Sequence, residues 1–413
     1  MLRRLGATLL LAAAAALAWA LAPAFSTTPY APEVEDFRQP LPALERVQAP
    51  AARALRAHPG EAAEAAARGG KRKAVYRSPV IEAPARFDLA GIAGEMRPYE
   101  MRGRERGGEW TPWTETANGD PVWFGGADEL QVRARGWRPK GRIHYVNVSG
   151  DATPAESLLN RARAAVSSAF ISAASLLGAG AEAAPPRPKV ISRTAWGAER
   201  KGKRGCRPRR EPDIGGVRAA VVHHTVNANN YSEAEAPAMV LGICHYHRNG
   251  NGWDDIGYNA LVDRFGNVYE GRAGGLRKAV VGAHAQGFNS QTTGVAVLGT
   301  YMTQRISKPA MRGLVRFLAW KLVRHNRTTK GKAKLRSGGG PASRYPKGKL
   351  VRTKRIMGHR RLGLTACPGD LLNRQLKKVT QKVQRRINRF AGPDPKDPKN
   401  PKDQGAGSGG VAR

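Results

Sequence analysis

Gly358-His359-Arg360-Arg361-Leu362-Gly363-Leu364-Thr365-Ala366-Cys367-Pro368-Gly369 holds a histidine and a cysteine with seven residues between them. A loop that folds back lets both reach one ion, and imidazole with thiolate is a donor pair that zinc favours. Two ligands do not complete a site. A third must come from elsewhere in the chain, and the fourth position stays open to water if the metal is catalytic. The candidate source is Val221-Val222-His223-His224-Thr225, an imidazole pair at the end of an apolar strand. Side chains alternate across a sheet, so only one of His223 and His224 faces a given site, and periodicity does not say which.

The residues around these two clusters alternate between strand and helix patterns. Residues 218–224 form a strand rich in Val and Ala, and 234–247 have helical length before Asn249-Gly250-Asn251-Gly252 breaks them. Residues 258–262 and 268–270 read as a hairpin about Arg264-Phe265-Gly266-Asn267, and 294–298 as another buried strand. Met311, Leu314, Val315, Leu318 and Leu322 share one face of a helix over 308–325. Leu372, Leu376, Val379, Val383 and Ile387 share one stripe of a last helix over 371–390. Helices interleaved with strands imply an α/β fold, a mixed central β-sheet flanked by helices.

Upstream the texture differs. Met1-Leu2-Arg3-Arg4, an apolar run over 5–21 and Ala22-Pro23-Ala24 have the order of a secretory signal peptide, with an uncleaved anchor as the alternative. Either expectation places the chain outside the cytoplasm, secreted or associated with the cell envelope. Residues 25–78 mix Pro, Ala, Glu and Arg without a period, which predicts a tether with a short helix near 44–56. Short runs at 87–93, 99–104, 110–114, 130–134 and 143–148 predict a small all-β, sandwich-like accessory domain over 79–150. Trp110, Trp113 and Trp123 are candidates there for a carbohydrate-facing strip or for strand core. An Ala-rich stretch over 151–188, with a weak helix at 155–177 and then Pro185-Pro186, reads as a linker. The second domain spans 189–390, and 391–413 reads as a disordered tail.

The formal net charge of +37 predicts a polyanionic partner. Export argues against nucleic acid and leaves an acidic membrane face or an anionic wall polymer. Thirteen Lys or Arg and no Asp or Glu lie between Arg327 and Arg361, flanking the metal loop. The cysteines are three: Cys206, Cys244 and Cys367. If Cys367 binds metal, Cys206 and Cys244 are left to pair as a disulfide; otherwise Cys244 is a small buried helix residue.

Several motifs in one order resemble a known family. They are Ser192-Arg193-Thr194-Ala195-Trp196-Gly197-Ala198, the His-His-Thr strand, Gly252-Trp253-Asp254-Asp255-Ile256-Gly257-Tyr258-Asn259 and Val268-Tyr269-Glu270-Gly271-Arg272. Gly282-Ala283-His284 with Asn289, and the terminal Gly-His-Arg and Thr-x-Cys-Pro-Gly elements, follow. Residues 190–390 are similar to the peptidoglycan recognition proteins and zinc-dependent N-acetylmuramoyl-L-alanine amidases, which share one fold with phage lysozymes of the amidase type. The resemblance implies that His223 joins His359 and Cys367 on zinc, with water in the fourth place. It implies hydrolysis of the amide between muramic acid and L-alanine in peptidoglycan. Tyr258 and Thr365 would then serve the developing oxyanion, and Trp253, Arg272, His284 and Asn289 would hold substrate. A non-catalytic receptor on the same fold is the alternative, usually marked by loss of a zinc ligand; all three ligands are present here. A basic protein binding wall polymer by charge alone would not need this cluster.

The chain departs from the pattern at Arg361, where the family often has Asp, and at Ala273-Gly274-Gly275, where animal members carry residues that distinguish stem peptides. Preference for diaminopimelate or lysine is therefore unreadable.

Overall fold

The computed structural model describes residues 34–47, 74–116, 119–149 and 184–391. The expected signal peptide, the weak helix at 155–177 and the tail beyond 391 lie outside them. Among the described residues no helix is long and apolar enough to cross a membrane.

The C-terminal half is built on a six-stranded sheet of β9 (Val190–Ile191), β10 (Ala219–His224), β11 (Ala260–Val262), β12 (Val268–Glu270), β13 (Thr292–Val297) and β16 (Ile356–Gly358), in the order β16-β10-β13-β11-β12-β9. Strand β10 runs parallel to β13 on one side and to β16 on the other, so it is an interior strand. Only β11 and β12 pair antiparallel. The mixed sheet matches the expected fold class.

Both faces are covered, which explains the continuous burial of β10. Ala220, Val222, Val295 and Val297 pack against α2 (Lys308–Arg324) and α3 (Asp370–Ala391) through Leu314, Leu318, Val379 and Val383. Leu261, Tyr269 and Ala296 point the other way, onto Met239, Val240 and Ile243 of α1 (Ala236–His245). Helix α2 starts where Ser307 accepts a hydrogen bond from Ala310 N. Its apolar stripe and that of α3 are buried as the periodicity predicts.

One cation lies on the buried side of α2. Lys321 is 2 % exposed, and its Nζ donates to the carbonyls of Leu276 and Lys278 at 2.6 and 2.7 Å. Burial, with Arg324 nearby, lowers its pKa to about 8. Between that value and the unfolded value the unfolded chain binds more protons, so stability contributed at this residue rises with pH. Unfolding free energies measured across pH 8–10 should therefore rise in the wild type relative to Lys321→Met, by roughly 2 kcal/mol. A parallel pH dependence in the two proteins would refute the assignment.

Cys206 and Cys244 form a disulfide with sulfurs 2.01 Å apart, tying the loop before β10 to α1. The bridge closes a separation of 38 residues. Urea unfolding under reducing conditions should show a loss of about 2–4 kcal/mol.

The N-terminal region is strand-rich, as expected, and its eight strands form one hydrogen-bonded sheet. These are β1 (Glu35–Pro40), β2 (Glu45–Val47), β3 (Val75–Arg77), β4 (Ile81–Ile92), β5 (Tyr99–Arg104), β6 (Thr114–Thr116), β7 (Val122–Arg135) and β8 (Arg142–Asn147). Strands β1 to β3 fall in the stretch expected to be a tether, and β2 replaces the start of the expected helix near 44–56. Their register is set by distant partners: Phe37 opposes Tyr145, and Val75 opposes Arg135. Trp110 and Trp113 are neither core nor bare strip, because the guanidinium groups of Arg102, Arg104 and Arg133 lie over their rings.

This sheet is packed onto the second domain. Leu89, Val146 and Val148 share a core with Met239 and Tyr246. A Cβ at Gly91 would stand 2.2 Å from Tyr246 Oη, so the approach requires glycine. Asp36 on β1 accepts from His144 at 2.8 Å, His245 at 3.0 Å and Asn249 at 3.0 Å, joining the two halves.

Candidate metal centre and cleft

Parity along β10 separates the two histidines. Ala219 and Val221 face the cluster that contains Ala285, Phe288, Met357 and Leu362, whereas Ala220 and Val222 face α2 and α3. His223 continues the first set. His224 continues the second, where its Nδ1 accepts a hydrogen bond from Tyr301 N at 3.4 Å. Adjacent β16 delivers His359 immediately after Gly358, and the following loop returns Cys367.

Donor atoms of His223, His359 and Cys367 all lie within 4.8 Å of one another. Cys367 Sγ is 3.7 Å from His223 Nδ1. The three residues are buried, and neither ring nitrogen of His359 has a hydrogen-bond partner. Uncompensated polar atoms at full burial are costly unless something binds them. Burial lowers the pKa of His359 to about 4 and, with His359 beside it, takes that of His223 well down. Both rings are therefore neutral and can offer lone pairs. Burial, reinforced by Asp120, pushes the Cys367 thiol up; a cation would reverse that by stabilising the thiolate. Two imidazoles and one thiolate suit a tetrahedral divalent metal with one position open. The second acid–cysteine cluster, Cys206 with Cys244 and Asp255, is tied up in the disulfide.

The wall beside the centre comes from the loop before β11. Tyr258 is 2 % exposed, its ring centroid 5.2 Å from that of His223. Burial and then Asp120 push its pKa well up, so it is a neutral hydroxyl that donates. Thr365 is partly exposed and its Oγ1 accepts from Cys367 N at 3.0 Å. Just after the Thr225 end of the strand, Val226 has φ of 59°, a left-handed conformation rare for a β-branched residue. Its NH donates to Gly299 O and its carbonyl accepts from Trp123 N, so it is held from both halves of the chain.

The family model for N-acetylmuramoyl-L-alanine amidase matches residues 213–370. Peptidoglycan-recognition protein SC2 of Drosophila melanogaster is 34 % identical over 155 residues, which are 36 % of this chain and 67 % of that protein. The chain belongs to the peptidoglycan recognition protein and amidase family. An N-acetylmuramoyl-L-alanine amidase of Sus scrofa is 33 % identical over 158 residues, 38 % of this chain and 22 % of that one. Among solved structures, wild-type Drosophila PGRP-LB aligns with 24 % identity over 46 % of this chain and 92 % of that one, at a TM-score of 0.35.

Within this recognition-protein fold the residues expected to hold substrate divide. Trp253 is partly exposed and its ring lies tilted against that of His247, with centroids 4.7 Å apart. Arg272 is half-buried beside Asp255 and donates to Ile256 O at 3.3 Å. His284 is 1 % exposed, with Nδ1 3.1 Å from His223 Nε2. That contact fixes the orientation of the His223 ring. Asn289 supports it, accepting from the backbone NH groups of His284 and Ala285 at 2.9 and 2.8 Å. Arg361 follows His359-Arg360 where the family often has a carboxylate. Asp370 supplies one instead, accepting from Arg360 Nη1 at 2.6 Å.

Sequence reading missed Asp120 and Glu115. Tyr258 Oη donates to Asp120 Oδ1 at 2.6 Å, and Ala366 N donates to Glu115 Oε1 at 2.9 Å. Both acids come from the N-terminal sheet. They carry no local signal, since their partners lie 138 and 251 residues away in sequence.

Proposed function

We propose that this protein is a zinc-dependent N-acetylmuramoyl-L-alanine amidase of the extracytoplasmic space, hydrolysing the amide between muramic acid and L-alanine in peptidoglycan. The observation that carries this reading is the convergence of His223, His359 and Cys367 donor atoms within 4.8 Å, with both His359 nitrogens otherwise unpartnered. When bound, zinc supplies Lewis-acid polarisation of the amide carbonyl and activates water near neutral pH. His284 holds the His223 ring in the orientation that turns Nδ1 towards Cys367. Tyr258 offers a neutral hydroxyl to the oxygen that gains charge. Thr365, whose Oγ1 already accepts from Cys367 N, keeps its own proton for a substrate oxygen.

The test combines zinc content with prolonged digestion of purified peptidoglycan by the full chain. One zinc per chain and release of stem peptides with a new L-alanine amino terminus are expected, both absent from Cys367→Ala. Wall binding by a zinc-loaded chain, with no release under any condition, would point to a non-catalytic peptidoglycan receptor instead.

Anionic wall polymer is the second partner we propose. The hairpin β14 (Lys332–Arg336) and β15 (Leu350–Lys354) exposes Lys332, Lys334, Arg336, Arg352 and Lys354. Its register sets Lys332 opposite Lys354 and Lys334 opposite Arg352, and among the described residues none of these makes an ion pair. Facing like charges destabilise a strand pair unless an anion lies across them. Binding to isolated walls should weaken severalfold from about 0.01 M to about 1 M salt, as the screening length falls from roughly 30 Å to roughly 3 Å. A co-sedimentation assay insensitive to salt would exclude it.

A further inference from the structure

We infer that the N-terminal sheet is an intramolecular inhibitor of the cleft, with Glu115, Gly119 and Asp120 occupying the donors that a peptide substrate needs. The inference rests on the amidase reading for what is inhibited, but the contact itself is independent of that reading.

Three groups reach across from the sheet to the second domain. Asp120, 7 % exposed, accepts a hydrogen bond from the Tyr258 hydroxyl at 2.6 Å, and the same oxygen lies 3.5 Å from His247 Nε2. Glu115 at the middle of β6 takes the NH of Ala366, the residue between Thr365 and Cys367, at 2.9 Å. Gly119 O takes the Asn251 side-chain NH at 2.6 Å. Gly119 also lies close against Trp253: a Cβ there would stand 3.0 Å from the indole and 2.7 Å from Asn251 Nδ2.

These contacts leave the centre closed. Cys367 is 4 % exposed, Tyr258 is 2 % exposed, and His223 and His359 are fully buried. A polymer cannot bring its amide to donors in that state. Tyr258 has one proton to give, and while Asp120 accepts it no substrate oxygen can. The Ala366 NH is likewise spent on a carboxylate. Carboxylates and a backbone carbonyl are groups that an acidic peptide also carries, so the occupant resembles the ligand it excludes.

Closure argues against a role for the Asp120 carboxylate in turnover, because a substrate oxygen cannot reach the Tyr258 hydroxyl while Asp120 accepts from it. Opening need not separate the two halves. The shared core of Leu89, Val146 and Val148 with Met239 and Tyr246 can stay packed, since β6 is three residues long and, among the described residues, pairs with β5 alone. Loss of the polar contacts of Glu115 and Asp120 is enough to free the cleft.

The experiment uses the full chain and the variant Glu115→Ala/Asp120→Ala. Cys367 is the free cysteine, the other two being bridged. Alkylation of the metal-free protein by iodoacetamide therefore reports access to the centre. The double variant should react at least about tenfold faster than wild type, matching the loss of two charged hydrogen bonds from a closed state. Its zinc-loaded form should release stem peptide at least about tenfold faster. If the double variant does not fold, Tyr258→Phe breaks the Asp120 contact from the other side and should itself speed alkylation. Unchanged alkylation in the folded variants overturns the inference. So does slower peptide release by the double variant, which would make Asp120 a participant in turnover. Faster alkylation with no release by any zinc-loaded variant supports the closed contact and removes the amidase reading instead.

Discussion

Cys367→Ala should leave the chain folded, empty its centre of zinc and lower peptide release by on the order of a thousandfold or more. On the proposed zinc reading the thiolate is the donor that sets the cluster's preference for a divalent ion of zinc's softness; His223 and His359 alone would leave two positions to fill. A metal's contribution to stabilising an amide-hydrolysis transition state is several kcal/mol, and each 1.36 kcal/mol is tenfold in rate. The thiol is 4 % exposed, and its sulfur lies 3.7 Å from His223 Nδ1 and 4.0 Å from the His224 carbonyl oxygen. Its removal therefore costs little packing. Metal content by emission spectrometry, circular dichroism and peptide release separate the cases. Full activity in a zinc-free variant would rule out the metal mechanism.

The α/β half was legible because its elements are local and periodic. Leu372, Leu376, Val379, Val383 and Ile387 recur at helical spacing, and all five are buried where α3 meets the sheet. The choice between His223 and His224 was not legible from the residues. Strand β10 is buried along its whole length, so no polar face marks one parity as outward. Only the packed clusters on either face distinguish them.

Non-local pairing hid the rest. Glu35–Pro40 reads as irregular because its side chains alternate between exposed and half-buried, with little apolar content. What makes it a strand is the ladder to β8, where Glu35 opposes Asn147. The motif around His284 was visible, but its contact with His223 was not, since a buried ring packed on a neighbouring histidine leaves no mark in spacing. Asp120 and Glu115 gain their meaning only once the two halves pack together, and no window of sequence contains both an acid and its partner.

Tyr258→Phe should therefore give a different answer in the closed and opened chain. In the wild-type background it removes the proton that Asp120 accepts at 2.6 Å. A buried acceptor left with one partner fewer costs about 1–3 kcal/mol, so the unfolding midpoint should fall while access to Cys367 rises. In the Glu115→Ala/Asp120→Ala background that penalty is absent. There the same change deletes only a donor to the oxyanion, and kcat should drop roughly a hundredfold to a thousandfold with KM little altered. Burial, the larger cause that pushes the hydroxyl's pKa up, does not depend on Asp120, so the loss should be uniform across neutral pH and not confined to the alkaline side. A change confined to KM would reassign Tyr258 to substrate binding. No change in either constant would remove it from the reaction and leave it as the anchor of the inhibitory contact alone.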